Sequence, residues 1–304
     1  MSSSPQESAG TTPAAVTTVE QVDAVEHRSA ASAVDAVTVI VVRDRVAADD
    51  AGDEGTARLE VLLLERHGAS AFAPGALVFP GGKLDDADGR LPAACAVVPQ
   101  PDAWQRRLGV QDRSAARRML VAAVRETFEE AGILLARHRD GASLAQRPLP
   151  RQELELVRTR MAARGGDYDW GGWLVAKDLE LRVDALAMWS WWVTPAGLPR
   201  RFDTRFLITA LPAGQEASYD AVETTASQWI RPLAALDAHR AGDLHVIYPT
   251  RCTLEQLARY PDAAAAIAAA RSGEVDLRRI EPRVVSVDGV AMVQHPDGGP
   301  PAPV

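Results

Sequence analysis

Apolar and β-branched runs alternate with polar breaks from about residue 33 onward. "AVTVIVVRDRV" (36–46) opens as an unbroken apolar run and predicts a buried strand. "AADDAGDEGTA" breaks it, and "RLEVLLLERH" (58–67) predicts a second strand, so the pair reads as a hairpin with a long loop. "GALVFPGGK" (75–83) predicts a short strand ending in a Pro-Gly-Gly turn. Residues 89–113 carry Pro92, Pro99 and Pro101 and read as irregular. A helix is expected from Ser114 as N-cap to Gly132 as the residue that ends it. Another is expected over 151–163, closed by Gly165 and Gly166. "MWSWWVTP" (188–195), "TRFLITAL" (204–211), "ASQWIRP" (226–232) and "LHVIYPT" (244–250) predict strands, with a helix over 233–240. Thr253 and Gln256 fit a capping box that opens the helix "TLEQLARY". "PDAAAAIAAARSG" (261–273) predicts a helix, and "RVVSVDGVAMVQ" (283–294) a hairpin turning at Asp288-Gly289. Strands and helices interleave without an internal repeat, which predicts one α/β domain.

The expected division is a tail over 1–32, a domain over 33–260 with 89–113 inserted, a helix-and-hairpin extension over 261–294, and a tail over 295–304. The chain has 304 residues and is 47% hydrophobic, enough to bury a sizeable core. Its net charge of −8 argues against a nucleic-acid partner, which needs a basic face. Cys95 and Cys252 lie far apart with no CxxC, so neither a disulfide framework nor a zinc site is expected. Two free cysteines fit a cytoplasmic protein. No apolar run is long enough to span a membrane. "MSSSPQESAGTTPAAVTTVEQ" lacks the basic and apolar regions of a secretory signal.

"RETFEEAG" (125–132) concentrates charge. On a helical wheel Leu120, Val121, Val124, Phe128 and Ala131 share one side, and Glu126, Glu129 and Glu130 the other. Carboxylates crowded on one face repel, and a divalent cation would offset that repulsion. Hard oxygen donors favour Mg²⁺ or Mn²⁺. A solvated acidic face balanced by Arg117, Arg118 and Arg125 fits the helix equally well.

Together with "FPGGKLDDAD" (79–88), the stretch resembles the Nudix box, G-x5-E-x7-R-E-U-x-E-E-x-G-U with U aliphatic. Gly82 is the first glycine, and Asp88 stands where the pattern has Glu. Arg125, Glu126, Glu129, Glu130, Gly132 and Ile133 fill the second half, with Thr127 at a usually aliphatic position. The pattern has seven residues where this chain has 36, between Asp88 and Arg125. The resemblance implies an α/β/α sandwich with a mixed sheet, helical insertions and a C-terminal extension. It implies that a divalent ion on Glu126, Glu129 and Glu130 activates a water to cleave a diphosphate. Glu129 or Glu130 would serve catalysis, Arg125 would hold a glutamate in place, and Glu223, six residues before Trp229, is a candidate further ligand or base. Glu216 is the runner-up.

The long insertion resembles a Nudix subgroup that includes a peroxisomal coenzyme A diphosphatase. The coenzyme A signature L-L-T-x-R-S-x3-R-x3-G-x3-F-P-G-G is matched at Leu62, Leu63, Arg66, Gly75, Phe79, Pro80, Gly81 and Gly82. Leu64, His67 and Ala71 depart from it. The resemblance implies coenzyme A or its acyl esters as substrate, with Arg66, Gly81 and Gly82 in the binding set. "LPRRFDTRF" offers Arg200, Arg201 and Arg205 for extra phosphates, or as surface arginines paired with Asp203. An ADP-ribose or NADH pyrophosphatase stays open, as does a non-catalytic Nudix sensor. A homodimer is the family-level expectation. Strand alternation puts Trp189 and Trp191 on one face and Trp192 on the other. His245 reads as a core histidine in an apolar strand.

Overall fold

The structure is a computed structural model and describes residues 32–45, 58–67, 75–163, 168–219 and 224–303. Val34–Asp44 (β1) and Leu59–Arg66 (β2) pair antiparallel, as the two apolar runs predict. The third predicted strand is cut in two at Phe79-Pro80. Leu77–Val78 (β3) pairs with β2, and Gly81–Lys83 (β4) crosses to β1.

The inserted stretch is not irregular. It begins in the last turn of a short helix Asp86–Arg90 (α1) and holds a 3-10 turn and a helix Pro101–Leu108 (α2). Pro101 stands in α2's first turn, where a missing N–H costs nothing, and Gly109 ends α2 at φ 64°. Arg113–Ala131 (α3) follows. Its N-cap is Asp112, not Ser114, because the Asp112 carboxylate accepts from Ala115 N–H. Gly132 ends α3 at φ 67°, as expected.

Ala136–His138 (β5), Arg151–Ala162 (α4), Trp170–Ala176 (α5) and Leu179–Leu181 (β6) cover one side; Gly165 and Gly166 lie outside the described residues. Ala187–Val193 (β7), Phe202–Ala210 (β8) and Thr224–Ile230 (β9) return to the main sheet, and Pro232–Ala241 (α6) follows. "LHVIYPT" is not a strand. Only Val246 bridges to Leu77, and a helix, Tyr248–Leu257 (α7), already begins at Tyr248. Thr253 therefore caps nothing. It sits inside α7 and donates back to the Pro249 carbonyl at 2.8 Å. Ala263–Ser272 (α8), Arg279–Ile280 (β10) and the hairpin Arg283–Val287 (β11) with Val290–Gln294 (β12) follow. Where a tail is expected, Ala302–Pro303 (β13) pairs with β12.

The main sheet is mixed, ordered β10-β7-β8-β1-β2-β3, with β4 on β1 and β9 on β2. On β1, Val37, Val39 and Val41 face a core shared with α3, while Ile40 and Val42 face one shared with α6, α7 and α8. Burial on both faces explains its continuous apolar run. The result is the expected α/β/α sandwich. The C-terminal extension is built into it, since α8 shares the second core and β10 pairs with β7. Among the described residues no helix is long and apolar enough to cross a membrane.

β7 breaks the predicted alternation. Its register against β8 skips between Met188 and Ser190, so Trp189 is an extra residue in a bulge. Trp189 and Trp192 consequently share one core, and Trp191 packs against the other.

Candidate active site

The Gly-Gly pair is set by space. A Cβ on Gly81 would lie 2.3 Å from the Val37 carbonyl oxygen of β1, and one on Gly82 2.6 Å from Glu126 Oε1. At Gly81 the clash is with backbone and nothing larger fits, whereas at Gly82 a methyl would displace the Glu126 carboxylate. The Gly81 N–H donates to Glu130 Oε2 at 2.8 Å, which joins the loop to α3.

Arg125 closes the interrupted motif in space. Its Nε donates to Asp88 Oδ1 at 2.7 Å, and Nη2 to Asp88 Oδ2 at 3.1 Å and to the Lys83 carbonyl at 3.0 Å. Nη1 donates to Glu126 Oε1 at 3.0 Å and to Glu129 Oε2 at 3.3 Å. Asp88 is 2% exposed and also accepts the Asp85 N–H in α1's capping box. The aspartate that departs from the Nudix pattern thus makes a two-pronged pair with the motif's arginine. The 36 intervening residues loop out and return, held by Arg117, which donates to the carbonyls of Leu91, Pro92 and Ala96. Thr127 satisfies its buried hydroxyl on the Ala123 carbonyl at 2.7 Å.

The glutamates do not form a solvated face. Glu126 and Glu130 are buried, and Arg117 and Arg118 are engaged elsewhere. Burial pushes the Glu126 carboxyl up to about 7, with Glu129 and Asp88 adding to the rise and Arg125 opposing it. Burial lowers Arg125, but its bond to Asp88 and the charges of Glu126, Asp88 and Glu129 outweigh this and hold it above its ordinary value. Arg158 of α4 donates to the Glu129 and Glu130 carbonyls at 2.7 Å each, capping α3's last turn.

These groups open on a cavity of about 1240 Å³. Arg66, Gly81, Gly82, Arg125, Glu126, Glu129, Glu130 and Arg200 all line it. Arg201 and Arg205 do not, so the expected run of three phosphate-binding arginines reduces to Arg200. Arg205 is 3% exposed and bonds Leu108 O, Asp203 and Asp35, with its guanidinium 4.3 Å from the Trp191 ring centre. Arg201 is engaged by Thr194 O and Glu281. Glu223 lies outside the described residues, as does Ala71. His245 is not a core histidine: it is exposed on the cavity wall. Sequence reading missed Lys83, the aromatic wall of Phe79, Phe202 and Phe206, and the start of α7 at Tyr248–Thr250. Pro249 was the available signal for a helix start there. The inserted residues 89–113 contribute nothing to the lining.

Among the described residues no three His, Cys, Asp or Glu side chains already converge tightly enough to hold an ion. The donor chemistry nevertheless fits one. Every acidic oxygen here is hard, and buried Glu126 carries charge that Arg125 alone does not offset.

The family model described as the NUDT19 Nudix domain matches residues 28–257. "Acyl-coenzyme A diphosphatase NUDT19" of Gallus gallus is 34% identical over 231 residues, which cover 64% of this chain and 60% of that protein. Its Homo sapiens counterpart is 30% identical over 233 residues, 66% of this chain and 60% of that protein. The chain thus spans about 60% of the length of these relatives. A crystal structure of a Nudix hydrolase from Alicyclobacillus acidocaldarius superposes with a TM-score of 0.61 at 28% identity, covering 78% of this chain and 96% of that one. The braced carboxylate helix, the sandwich around it and the extent of these matches place the chain in the Nudix family, in the group of the NUDT19 Nudix domain.

Proposed function

We propose that the chain is a metal-dependent Nudix hydrolase that cleaves the diphosphate of coenzyme A or an acyl-coenzyme A. The products are 3′,5′-ADP and phosphopantetheine or its acyl ester. The observation that carries the reading is the carboxylate face of α3, fixed by Arg125 and opening on a cavity large enough for a dinucleotide-sized ligand. Relatives named acyl-coenzyme A diphosphatase support the substrate class.

On this reading Glu126, Glu129 and Glu130 hold Mg²⁺ or Mn²⁺. When bound, the ion makes a water acidic enough to attack near neutral pH and offsets charge on the phosphoryl oxygens. Arg125 keeps Glu126 and Glu129 in fixed rotamers, and the Gly81 amide fixes Glu130. Glu129, less buried than its two neighbours, is the first candidate to accept the proton of the attacking water, and Glu223 stays the second on its sequence position. Arg66 and Lys83 supply positive charge to the diphosphate, Arg200 adds positive charge elsewhere on the wall, and Phe79, Phe202 and Phe206 offer apolar walls to the base and pantetheine arm. The enzyme works in the cytoplasm as a homodimer, and sedimentation velocity reads the assembly.

The test is chromatographic product analysis with Mg²⁺ or Mn²⁺ and a panel of coenzyme A, short and long acyl-coenzyme A, ADP-ribose, NADH and nucleoside triphosphates. Appearance of 3′,5′-ADP supports the reading. AMP from ADP-ribose or NADH, with coenzyme A untouched, favours the alternative that the departures Leu64, His67 and Ala71 leave open.

A further inference from the structure

The start of α7 forms a wall of the same cavity, through Ile247, Tyr248, Pro249 and Thr250. α7 is ten residues long, and its N-cap, Ile247, has no side chain able to accept from the first turn. The amides of a first turn have no acceptor within the helix. Here they are those of Tyr248 and Thr250, since Pro249 has none and the Arg251 N–H already reaches the Ile247 carbonyl at 2.9 Å. The helix dipole adds partial positive charge at this end.

Thr250 supplies a second, independent observation. It is 2% exposed and lines the cavity, yet its hydroxyl has no hydrogen-bond partner among the described residues. Thr253, one turn on and equally buried, satisfies its own hydroxyl on the Pro249 carbonyl. The small part of Thr250 that stays accessible includes this hydroxyl, which is open to the cavity and free to bond a ligand oxygen there. The turn is also held in place. Leu77 N–H donates to the His245 carbonyl at 2.8 Å, and the Tyr248 ring meets the edge of Trp192 at 6.0 Å. Arg200 stands on the wall of the same cavity, exposed and in no ion pair among the described residues. The acidic residues of the lining, Asp85, Glu126, Glu129 and Glu130, belong to the carboxylate helix and the β4 loop, not to α7 or the β7–β8 turn.

We propose that the first turn of α7, with the Thr250 hydroxyl and Arg200, is a subsite for a phosphate monoester that the substrate carries apart from its diphosphate. Two amides, a hydroxyl and a guanidinium match the several acceptor oxygens of such a group. The identification of that group as a 3′-phosphate rests on the coenzyme A reading above. The subsite accounts for why Arg200 alone of its arginine run is left uncommitted.

The test is calorimetric binding of 3′,5′-ADP and of 5′-AMP to the full chain, which needs no turnover. The wild type is expected to bind 3′,5′-ADP at least about tenfold more tightly than 5′-AMP, the scale of one hydrogen bond to a charged group. Thr250→Val and Arg200→Ala each bring that ratio toward one, and Thr250→Ser restores it. Equal binding of the two nucleotides by the wild type overturns the proposal, as does an unchanged ratio in both variants. Failure of the substrate reading shows separately, as no 3′,5′-ADP formed from coenzyme A.

Discussion

Replacing Glu126 by glutamine should stabilise the metal-free protein at pH 8 and leave it unchanged near pH 4. Burial pushes the folded-state carboxyl to about 7 from an ordinary 4.5. Between those values the folded chain holds a proton that the unfolded chain has lost, so stability falls as pH rises through this window and stays low above it. A difference of about 2.5 units at about 1.4 kcal/mol each sets a ceiling of about 3 kcal/mol. Solvent screening removes little of this, since Glu126 is 9% exposed. Arg125 already opposes the rise to about 7, so the gain at pH 8 approaches about 3 kcal/mol and raises the melting temperature by roughly 5 °C in a chain of this size. Scanning calorimetry of both proteins in chelator, from pH 4 to 8, reads it. A variant no more stable than the wild type at pH 8, or a gain that does not vary with pH, would refute the account of Glu126 as an under-compensated buried charge.

Three further outcomes follow from the same geometry. Arg125→Ala strands the Asp88 carboxylate at 2% exposure, and thermal denaturation should show a loss of about 3–5 kcal/mol. Gly82→Ala places a methyl 2.6 Å from Glu126 Oε1, the end of a flexible side chain. The carboxylate shifts while the fold stands, so turnover should drop at least about tenfold with little change in melting temperature. Arg205→Ala removes a buried guanidinium from Asp35, Asp203 and the Leu108 carbonyl and should cost about 3–5 kcal/mol, whereas exposed Arg200→Ala leaves the melting curve in place.

Local chemistry was legible. The three glutamates and their arginine stand within six residues on one helix, and the apolar runs of β1 and β2 announce a sheet buried on both faces. The turn at Asp288-Gly289 needed only its own two residues. What escaped depends on partners remote in sequence. Nothing near Arg205 signals that Leu108 and Asp35 will claim it, 97 and 170 residues away. The prolines of the insertion read as breakers because the turn that makes Pro101 a helix starter is set by packing against α3. "LHVIYPT" has strand composition, but only Val246 reaches the sheet before Pro249 favours a helix start. The bulge at Trp189 puts that ring on the side of Trp192 and not of Trp191, and no pattern of alternation contains it. The burial of Glu126 and Glu130, which a solvated face would lack, likewise comes from the Gly81-Gly82 strand β4 laid against them and not from the helix itself.

The most direct test of the central claim is the rate at which wild-type protein and Glu129→Gln release 3′,5′-ADP from coenzyme A in Mg²⁺ or Mn²⁺, with the fold checked by melting. The account predicts release by the wild type and its loss in the variant at an unaltered fold. Release that continues unchanged in Glu129→Gln would contradict the assignment of this helix as the catalytic centre.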